Sequence, residues 1–464
     1  MDPLALLPEI CLLAGALVAL VAGSFSPRRR QWPARLVAVT ALLASAGTAV
    51  AGLAGPARTV YDSTYAVDVP TGAARLVVAV GTLFVLALGA REIAGDPRES
   101  ETYTLLLLAA AGADVLAGSS DLLVLAVGFL LASIPLYGLV GLSRTAGGAE
   151  AALKTYLLGA LLGIVLLLGT TILVALAGGS TYAELAGRLA AAPAAAVAAG
   201  AVGVLAGLMF KAGGVPGHFW VPDAAQGGSV TAAAFLTTVP KAGALVAAYR
   251  LVDALPGTVD TGLLVAVLAT ASMTLGNLAA YGQTDVRRLL GWSTVSQVGY
   301  LLVPVAVAGR SDLAQPSLLL YLAAYALANL GAFAVVAALP DRTALADYRG
   351  LARTRPSLAG ALLVALLGLV GTPPLAVFAG KLTVATAGWD GGYGWLAAVL
   401  AANTALSLFY YLRWIAPAFR SAGGADRPAP PAATVAALTA AVASVALGVG
   451  AGAAWTLLDG ALAR

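Results

Sequence analysis

The chain has 464 residues, of which 60% are hydrophobic and only 10% are charged, and its mean hydropathy is +0.91. Soluble domains average about 25% charged residues, so this composition excludes a soluble domain and indicates a polytopic membrane protein. The formal net charge of +4 does not indicate nucleic-acid binding, because the arginines lie in short segments between apolar runs.

Apolar runs long enough to cross a bilayer recur along the whole chain. A membrane helix needs about 20 apolar residues, and the sequence predicts 14 such spans. They lie near 4–25, 34–54, 73–94, 103–119, 121–142, 153–178, 195–213, 229–253, 262–281, 289–309, 316–339, 357–388, 393–415 and 432–458. Because the longest polar linkers are only those near 55–72, 340–356 and 420–431, we expect an all-α polytopic membrane protein without a soluble domain.

The seventh and twelfth spans each contain residues that break helices. The seventh has Gly213-Gly214 followed by Pro216, and the twelfth has the sequence GTPP at 371–374. A break at membrane depth is tolerated where it is buried or lines a wet cavity. Because the two breaks lie five spans apart, an odd number, they predict two inverted repeats, with Lys211 corresponding to Lys381.

Lysine is rare in this chain and is confined to apolar surroundings. Against 22 arginines there are four lysines, Lys154, Lys211, Lys241 and Lys381, all in or at the edge of apolar spans. Charges inside a bilayer are unfavourable and usually mark an ion or proton path. Unlike arginine, a buried lysine can lose its proton. A compositional bias against lysine explains its absence from loops, but not the positions of these four.

The segment 203–241 contains most of the candidate site. Lys211 lies at the end of an apolar helix, His218 follows the break, and Lys241 lies in the next span. This pattern predicts that Lys211 stores a proton, that His218 and Lys241 relay it, and that Lys381 is the corresponding site of the second half. A structural role for His218, bracing the broken helix, is an equally good alternative.

Three further charged residues are candidate modulators of this path. Asp114 is the one carboxylate clearly inside a span, although a position near a helix end also explains it. Lys154 begins a span, where its amine can extend to the membrane interface. Glu101 lies at a helix start, where a carboxylate interacts favourably with the helix dipole.

The sequence predicts no metal or cofactor site on this chain. One histidine and one cysteine, Cys11, are too few for a metal or iron–sulfur site. The sequence also lacks a phosphate loop and a glycine-rich dinucleotide fingerprint. Any redox chemistry is therefore expected in partner proteins.

The loop arginines predict the orientation. If the N-terminus is outside, the inner loops carry 15 arginines, at positions 28, 29, 30, 35, 91, 98, 144, 287, 288, 342, 349, 353, 355, 420 and 427. The outer side carries five, at positions 58, 188, 250, 310 and 464. Because cytoplasmic loops carry the excess of basic residues, both termini are expected to be extracytoplasmic.

Six segments carry a resemblance to a known family. They are LLPEICLLAG at 6–15, SIPLYGLVG at 133–141, FKAGGVPGHFWVPDA at 210–224, GNLAAYGQTDVRRLLGWSTVSQVGYLL at 276–302, YRGLARTRP at 348–356 and GTPPLAVFAGK at 371–381. Together they resemble subunit N of bacterial respiratory complex I (NADH-quinone oxidoreductase), an antiporter-like membrane subunit.

This resemblance implies a single domain, 1–464, of 14 helices with two inverted five-helix repeats. Its parts would be helices 1–3 in 1–95, the first repeat in 103–253, the second repeat in 262–415 and the last helix in 432–458. It also implies a proton path along a central polar axis, in which Lys211, Lys241 and Lys381 are the key lysines. Lys154 and Glu101 match positions that carry those charges in relatives.

The resemblance further implies a location in the bacterial cell membrane, within a larger complex. Other membrane-arm and peripheral subunits would hold NADH, FMN, iron–sulfur clusters and quinone, while this chain binds no cofactor and translocates protons. Two alternatives remain open. One is a subunit of a multi-subunit cation/proton antiporter, and the other is a scaffold of the same complex that does not pump.

The chain also departs from the family pattern in ways that indicate a divergent paralogue. Leu130 stands where the family usually has a glutamate that modulates the lysine of the seventh helix, and Gln297 stands where histidine is common. The GAPTP-like run of relatives is replaced at 226–230. We hypothesise that Asp114, in the adjacent helix, supplies Lys211 with the missing carboxylate.

Overall fold

The computed structural model describes residues 2–420 and 429–463, so Arg427 and Arg464, two of the arginines used for orientation, lie outside it. The described α-helices are α1 (Leu7–Ser24), α2 (Trp32–Leu53), α3 (Val69–Leu88), α4 (Ala90–Ile93), α5 (Glu99–Gly118), α6 (Leu122–Gly141), α7 (Ala146–Ala177), α8 (Tyr182–Arg188), α9 (Ala194–Ala212), α10 (Trp220–Gly227), α11 (Val230–Ala254), α12 (Thr261–Tyr281), α13 (Val286–Ala306), α14 (Ala314–Ala338), α15 (Leu351–Thr354), α16 (Pro356–Val370), α17 (Ala376–Asp390), α18 (Gly394–Phe419), α19 (Pro431–Val449) and α20 (Ala451–Leu458). Short 3₁₀ helices cover Pro3–Leu6, Leu189–Ala191 and Leu345–Tyr348.

The predicted all-α membrane architecture is confirmed. Thirteen helical segments within the described residues are long and apolar enough to cross a membrane. The two 15-residue helices α16 and α17 flank the predicted break and together form the remaining span. The sixth span begins at Ala146, earlier than its apolar run, because the Thr145 hydroxyl accepts the Gly148 N–H and caps the helix.

One of the predicted linkers contains strands. Within 55–72, Arg58–Val60 (β1) pairs antiparallel with Tyr65–Val67 (β2). The turn between them places Tyr61, Asp62 and Ser63 at positive φ. We call the end of the bundle that carries this hairpin the hairpin end, and the opposite end, with Arg287 and Arg288, the arginine-rich end.

Three helices, α11 with Lys241 and the polar helices α13 and α14, lie at the centre of the bundle. In the most apolar 18-residue stretch of α11 and of α13, 94% of the residues are buried, and in that of α14 the share is 89%. In α2 and α19 the same fraction is only 28%. The polar residues of the three central helices are therefore shielded from lipid, whereas peripheral helices expose leucine and valine.

Both predicted helix breaks are confirmed, and they share one geometry. Gly213 and Gly371 take φ values of +80° and +88°, a left-handed conformation that glycine adopts without strain. A proline follows three residues after each glycine, at Pro216 and Pro374.

The two breaks do not place Lys211 and Lys381 at equivalent positions, and the predicted correspondence between these lysines stays a prediction. Lys211 comes two residues before Gly213, whereas Lys381 comes ten residues after Gly371. The two lysines therefore lie on opposite sides of their helix breaks. The division into inverted repeats itself stays a prediction.

Candidate functional site

Lys241 binds the end of a broken helix. Its side chain is fully buried, and its Nζ donates a hydrogen bond of 2.5 Å to the carbonyl oxygen of Ala212, the last residue of α9. That carbonyl has no partner within its own helix and lies at the negative end of the helix dipole, which favours a cation. A Cβ on Gly213 would lie 2.9 Å from this Nζ and 2.7 Å from Val221 Cγ2, so close packing and the left-handed φ both favour glycine there.

Lys381 has the same kind of environment in the second half of the chain. Its Nζ donates to the carbonyl of Val370, the last residue of α16, at 3.0 Å and to Thr404 Oγ1 at 3.2 Å. The Nζ also lies 3.9 Å from the centre of the Tyr300 ring, a cation–π contact. Only 4% of Lys381 is exposed.

A line of buried polar groups joins the two lysines through α11, α13 and α14. One turn before Lys241, the carbonyl of Thr237 lies 2.6 Å from Tyr325 Oη. The same Tyr325 Oη is 3.1 Å from Thr294 Oγ1 on α13.

Gln297, one turn along α13 from Thr294, completes this line. Its Oε1 accepts from Tyr321 Oη, and its Nε2 donates to the carbonyl of Leu369 at 2.8 Å. Leu369 is adjacent to Val370, the residue that binds Lys381. The position where relatives often carry histidine therefore holds an amide that links α13 to the second helix break.

Lys211 is buried but has no polar partner among the described residues. It is 2% exposed, and its Nζ lies 5.9 Å from the centre of the Phe129 ring. Its one electrostatic neighbour is the like-charged Lys241. Leu130, next to Phe129, is 42% exposed and provides no carboxylate. Within residues 2–420 and 429–463, Lys211 and Lys241 are thus neighbours without a compensating acid.

His218 lies in the break between α9 and α10 and is 1% exposed. Its ring stacks on Phe219, with centroids 4.1 Å apart, and contacts Trp292 at 5.7 Å. Both of its ring nitrogens are buried without a hydrogen-bond partner in the described part of the chain. No lysine is hydrogen-bonded to it, so a relay through His218 requires water.

The expected pairing of Asp114 with Lys211 is wrong. Asp114 is fully buried near the C-terminal end of α5, and its electrostatic neighbours are Glu9 and Arg75 at the hairpin end. The interpretation failed because adjacency of two helices in sequence does not fix which helix face carries a given residue.

The other two candidate modulators lie toward the arginine-rich end. Lys154 Nζ is 2.7 Å from Glu150 and 3.0 Å from Asp223, and Asp223 also pairs with Arg288. Burial raises the pKa of Asp223, but hydrogen bonds and charges from Lys154 and Arg288 outweigh it and keep this pKa below its usual value. Glu101 lies in the first turn of α5, where the Ser100 hydroxyl donates to its carboxylate.

Several buried ion pairs could not be foreseen from the sequence. Glu9, near the start of α1, forms a buried ion pair with Arg75 at 2.8 Å. Arg250, counted with the loop arginines, is buried in α11 and pairs with Asp68 at 2.5 Å. Charge inside an apolar run was a signal for Arg75, but its partner lies 66 residues away in the sequence.

The fold and the buried lysines define a class, the antiporter-like membrane subunits. Residues 119–407 match a family model described as NADH:quinone oxidoreductase/Mrp antiporter, TM. A solved chain of an Mrp complex from Dietzia sp. DQ12-45-1b has a TM-score of 0.86 at 22% identity, with 99% of this chain and 97% of that chain covered. At that identity the likeness shows the fold alone.

Two closer relatives define the family within this class. NADH-quinone oxidoreductase subunit N of Mycobacterium sp. (strain JLS) is 59% identical over 463 residues, which cover 99% of this chain and 98% of that protein. A chain of respiratory complex I from Thermus thermophilus, solved with bound Aureothin, is 31% identical with a TM-score of 0.85, covering 98% of this chain and all of that one. The chain belongs to the family of NADH-quinone oxidoreductase subunit N.

Proposed function

We propose that this chain is a proton-translocating membrane-arm subunit of a complex I-type NADH:quinone oxidoreductase. The observation that carries the proposal is the buried polar line from Lys241 to Lys381, which crosses the three most buried helices. Polar groups inside a membrane protein are unfavourable unless they bind one another or line an ion path. This line contains protonatable groups at both ends.

Each end of the line can hold or give up a proton at a defined atom. The Nζ of Lys241 or Lys381 carries the proton while it donates to a helix-end carbonyl, which stabilises the charged form. After the proton has left, the neutral amine can still donate to the same carbonyl, but this hydrogen bond is weaker than that of the charged ammonium. Tyrosine and threonine hydroxyls between them donate and accept in turn, so they can pass a proton along the line when water fills the gaps.

Lys211 supplies the electrostatic coupling. Because its ammonium would face Lys241 without a nearby acid, a proton on one of these lysines disfavours a proton on the other. Uptake of a proton at Lys211 therefore promotes transfer from Lys241 toward Lys381.

The redox chemistry belongs to partner subunits in this proposal. NADH, FMN, iron–sulfur clusters and quinone bind elsewhere in the complex, and this chain contributes to a translocase without a redox centre of its own. Other membrane-arm subunits, peripheral subunits and the lipid of the bacterial cell membrane are its partners. The hairpin end, with both termini, faces the extracytoplasmic side, because the excess of loop arginines lies at the other end.

A second candidate is a scaffold that does not pump. It is favoured by the lack of a carboxylate beside Lys211 among the described residues and by the apolar, exposed side chain at Leu130. In that case the lysines would stabilise the two helix breaks by binding their carbonyls, and would not exchange protons.

A purification and an assay separate these functions. Tagged chain isolated in mild detergent should carry quinone-reducing and iron–sulfur subunits; antiporter subunits alone would contradict the proposal. The complex is then reconstituted in vesicles with Lys211→Ala. We expect fewer protons per electron with unchanged uncoupled quinone reduction. An unchanged proton yield favours the scaffold.

A further inference from the structure

A second buried acid–base network lies at the hairpin end, apart from the lysine line. Arg75 donates from Nε to Glu9 Oε1 and from Nη2 to Glu9 Oε2, each at 2.8 Å, and from Nη2 to the carbonyl of Ala5. Tyr65 Oη lies 2.5 Å from Glu9 Oε1 and 3.1 Å from the backbone carbonyl of Asp114. Helices α1, α3 and α5 and the hairpin thus converge on one polar cluster.

Asp114 is the member of this cluster that lacks a partner. It is fully buried, and neither carboxylate oxygen has a hydrogen-bond partner within the described residues. An ionised carboxylate is unfavourable in such a place, so the side chain is stable here as a neutral acid. The nearby Arg75 provides one positive charge, which Glu9 already neutralises.

We propose that Asp114 and Glu9 share one proton and one negative charge beside Arg75, and that this pair releases protons from the lysine line toward the hairpin end. The inference rests on the proposed function. Transfer of the proton from Asp114 to Glu9 leaves an Asp114 carboxylate, a neutral Glu9 and the Arg75 cation, so the cluster keeps zero net charge. The transfer adds no net charge to the cluster. It moves the negative charge from a carboxylate that binds Arg75 to one without a hydrogen-bond partner, so the state with Asp114 protonated is the more stable of the two, and the transfer goes through water.

The contact between α5 and α11 places this pair beside the lysine line. Gly243, two residues after Lys241, packs so closely that a Cβ there would lie 2.1 Å from the carbonyl oxygen of Ala113, the residue before Asp114. The backbones of the two helices meet at this point. The cationic groups of α11 have other partners: Lys241 binds the end of α9, and Arg250 binds Asp68.

Three polar residues at the N-terminal end of α3, including its N-cap Asp68, lie between the pair and the hairpin end. Asp68, Thr71 and Arg75 follow one another at helical spacing, so they share one face. Arg250 donates to Asp68 Oδ1 and to Thr71 Oγ1, and it lines a cleft of about 120 Å³ at the hairpin end. The Thr71 hydroxyl and the Asp68 carboxylate lie between Arg75 and the cleft, so with water they offer a released proton a path in which neither arginine loses its own proton.

The test uses the intact complex in vesicles, with Asp114→Asn as an isosteric variant that cannot lose a proton. We expect it to lower the protons moved per electron to the level of Lys241→Met, with uncoupled quinone reduction unchanged. In infrared spectra it should lose one carboxylic-acid C=O band that shifts in D₂O. The matched control is Asp121→Asn, which removes the carboxylate that caps α6. This variant should keep the normal number of protons per electron and the carboxylic-acid C=O band.

A normal yield in Asp114→Asn beside a lowered yield in Lys241→Met would overturn this inference but leave the proposed function intact. Normal proton yields in both variants would overturn both this inference and the proposed function. Asp114→Glu keeps an acid and should retain pumping. If Asp114→Glu lowers the number of protons moved per electron as much as Asp114→Asn does, altered packing explains the lower yield and the inference fails.

Discussion

The close contact between α5 and α11 gives a quantitative prediction for Gly243→Ala. The new Cβ would lie 2.1 Å from the Ala113 carbonyl oxygen, whereas an ordinary contact begins near 3.4 Å. The helices must therefore separate by up to about 1.3 Å, and overpacking of this kind costs about 1–3 kcal/mol. Because backbone atoms form the contact, no side-chain rotation can relieve it.

The matched control is Gly360→Ala. Gly360 lies within α16, and nothing lies within 4 Å of a Cβ built there. Alanine at such a position favours a helix by up to about 1 kcal/mol. The assay is the thermal unfolding of the purified complex, followed by its proton yield in vesicles.

We expect Gly243→Ala to unfold at a lower temperature than the wild type and to lose proton yield, since the contact adjoins both Lys241 and Asp114. Gly360→Ala should be as stable as the wild type or slightly more stable, with a normal yield. Equal unfolding temperatures and yields for the two variants would refute the argument that this contact is tightly packed.

Three further predictions concern charged groups. Arg75→Met leaves Glu9 buried without its cation and should destabilise the protein by about 3–5 kcal/mol, whereas the double variant with Glu9→Met should recover most of this in thermal unfolding. Glu92 accepts hydrogen bonds from the first N–H groups of α11, so Glu92→Ala should cost about 1–2 kcal/mol in the same assay, and no change would contradict this capping role. Because its partners lower the pKa of Asp223, its stabilising effect is present above the ordinary carboxyl pKa of about 4 and is lost as the pH falls through the lower folded-state value. Asp223→Asn should therefore weaken the loss of thermal stability in that acidic range, and an identical pH profile would contradict the assignment.

The spans and the helix breaks could be predicted because their signals are local. A run of about 20 apolar residues has few alternatives to a membrane helix. Glycine and proline act on the backbone where they stand, so the breaks at Gly213 and Gly371 were correctly located. The hairpin was missed because two three-residue strands are too short to show an alternating pattern.

The lysines were identifiable as candidates, but their partners were not. A charge in an apolar run can be read from the sequence, as at Lys241 and Lys381. Each donates to a backbone carbonyl, of Ala212 or Val370, and side-chain identity does not reveal such an acceptor. For the same reason Asp114 was assigned to the wrong neighbour, because the direction of a buried side chain depends on helix packing.

The most direct test of the central claim is a simultaneous count of protons and electrons in vesicles that contain the complex with Lys241→Met. Methionine retains most of the side-chain volume but cannot carry a proton. The proposed function predicts normal uncoupled quinone reduction with fewer protons moved per electron than in the wild type. An unchanged ratio would contradict proton transfer through this chain and would leave its lysines a structural role at the helix breaks.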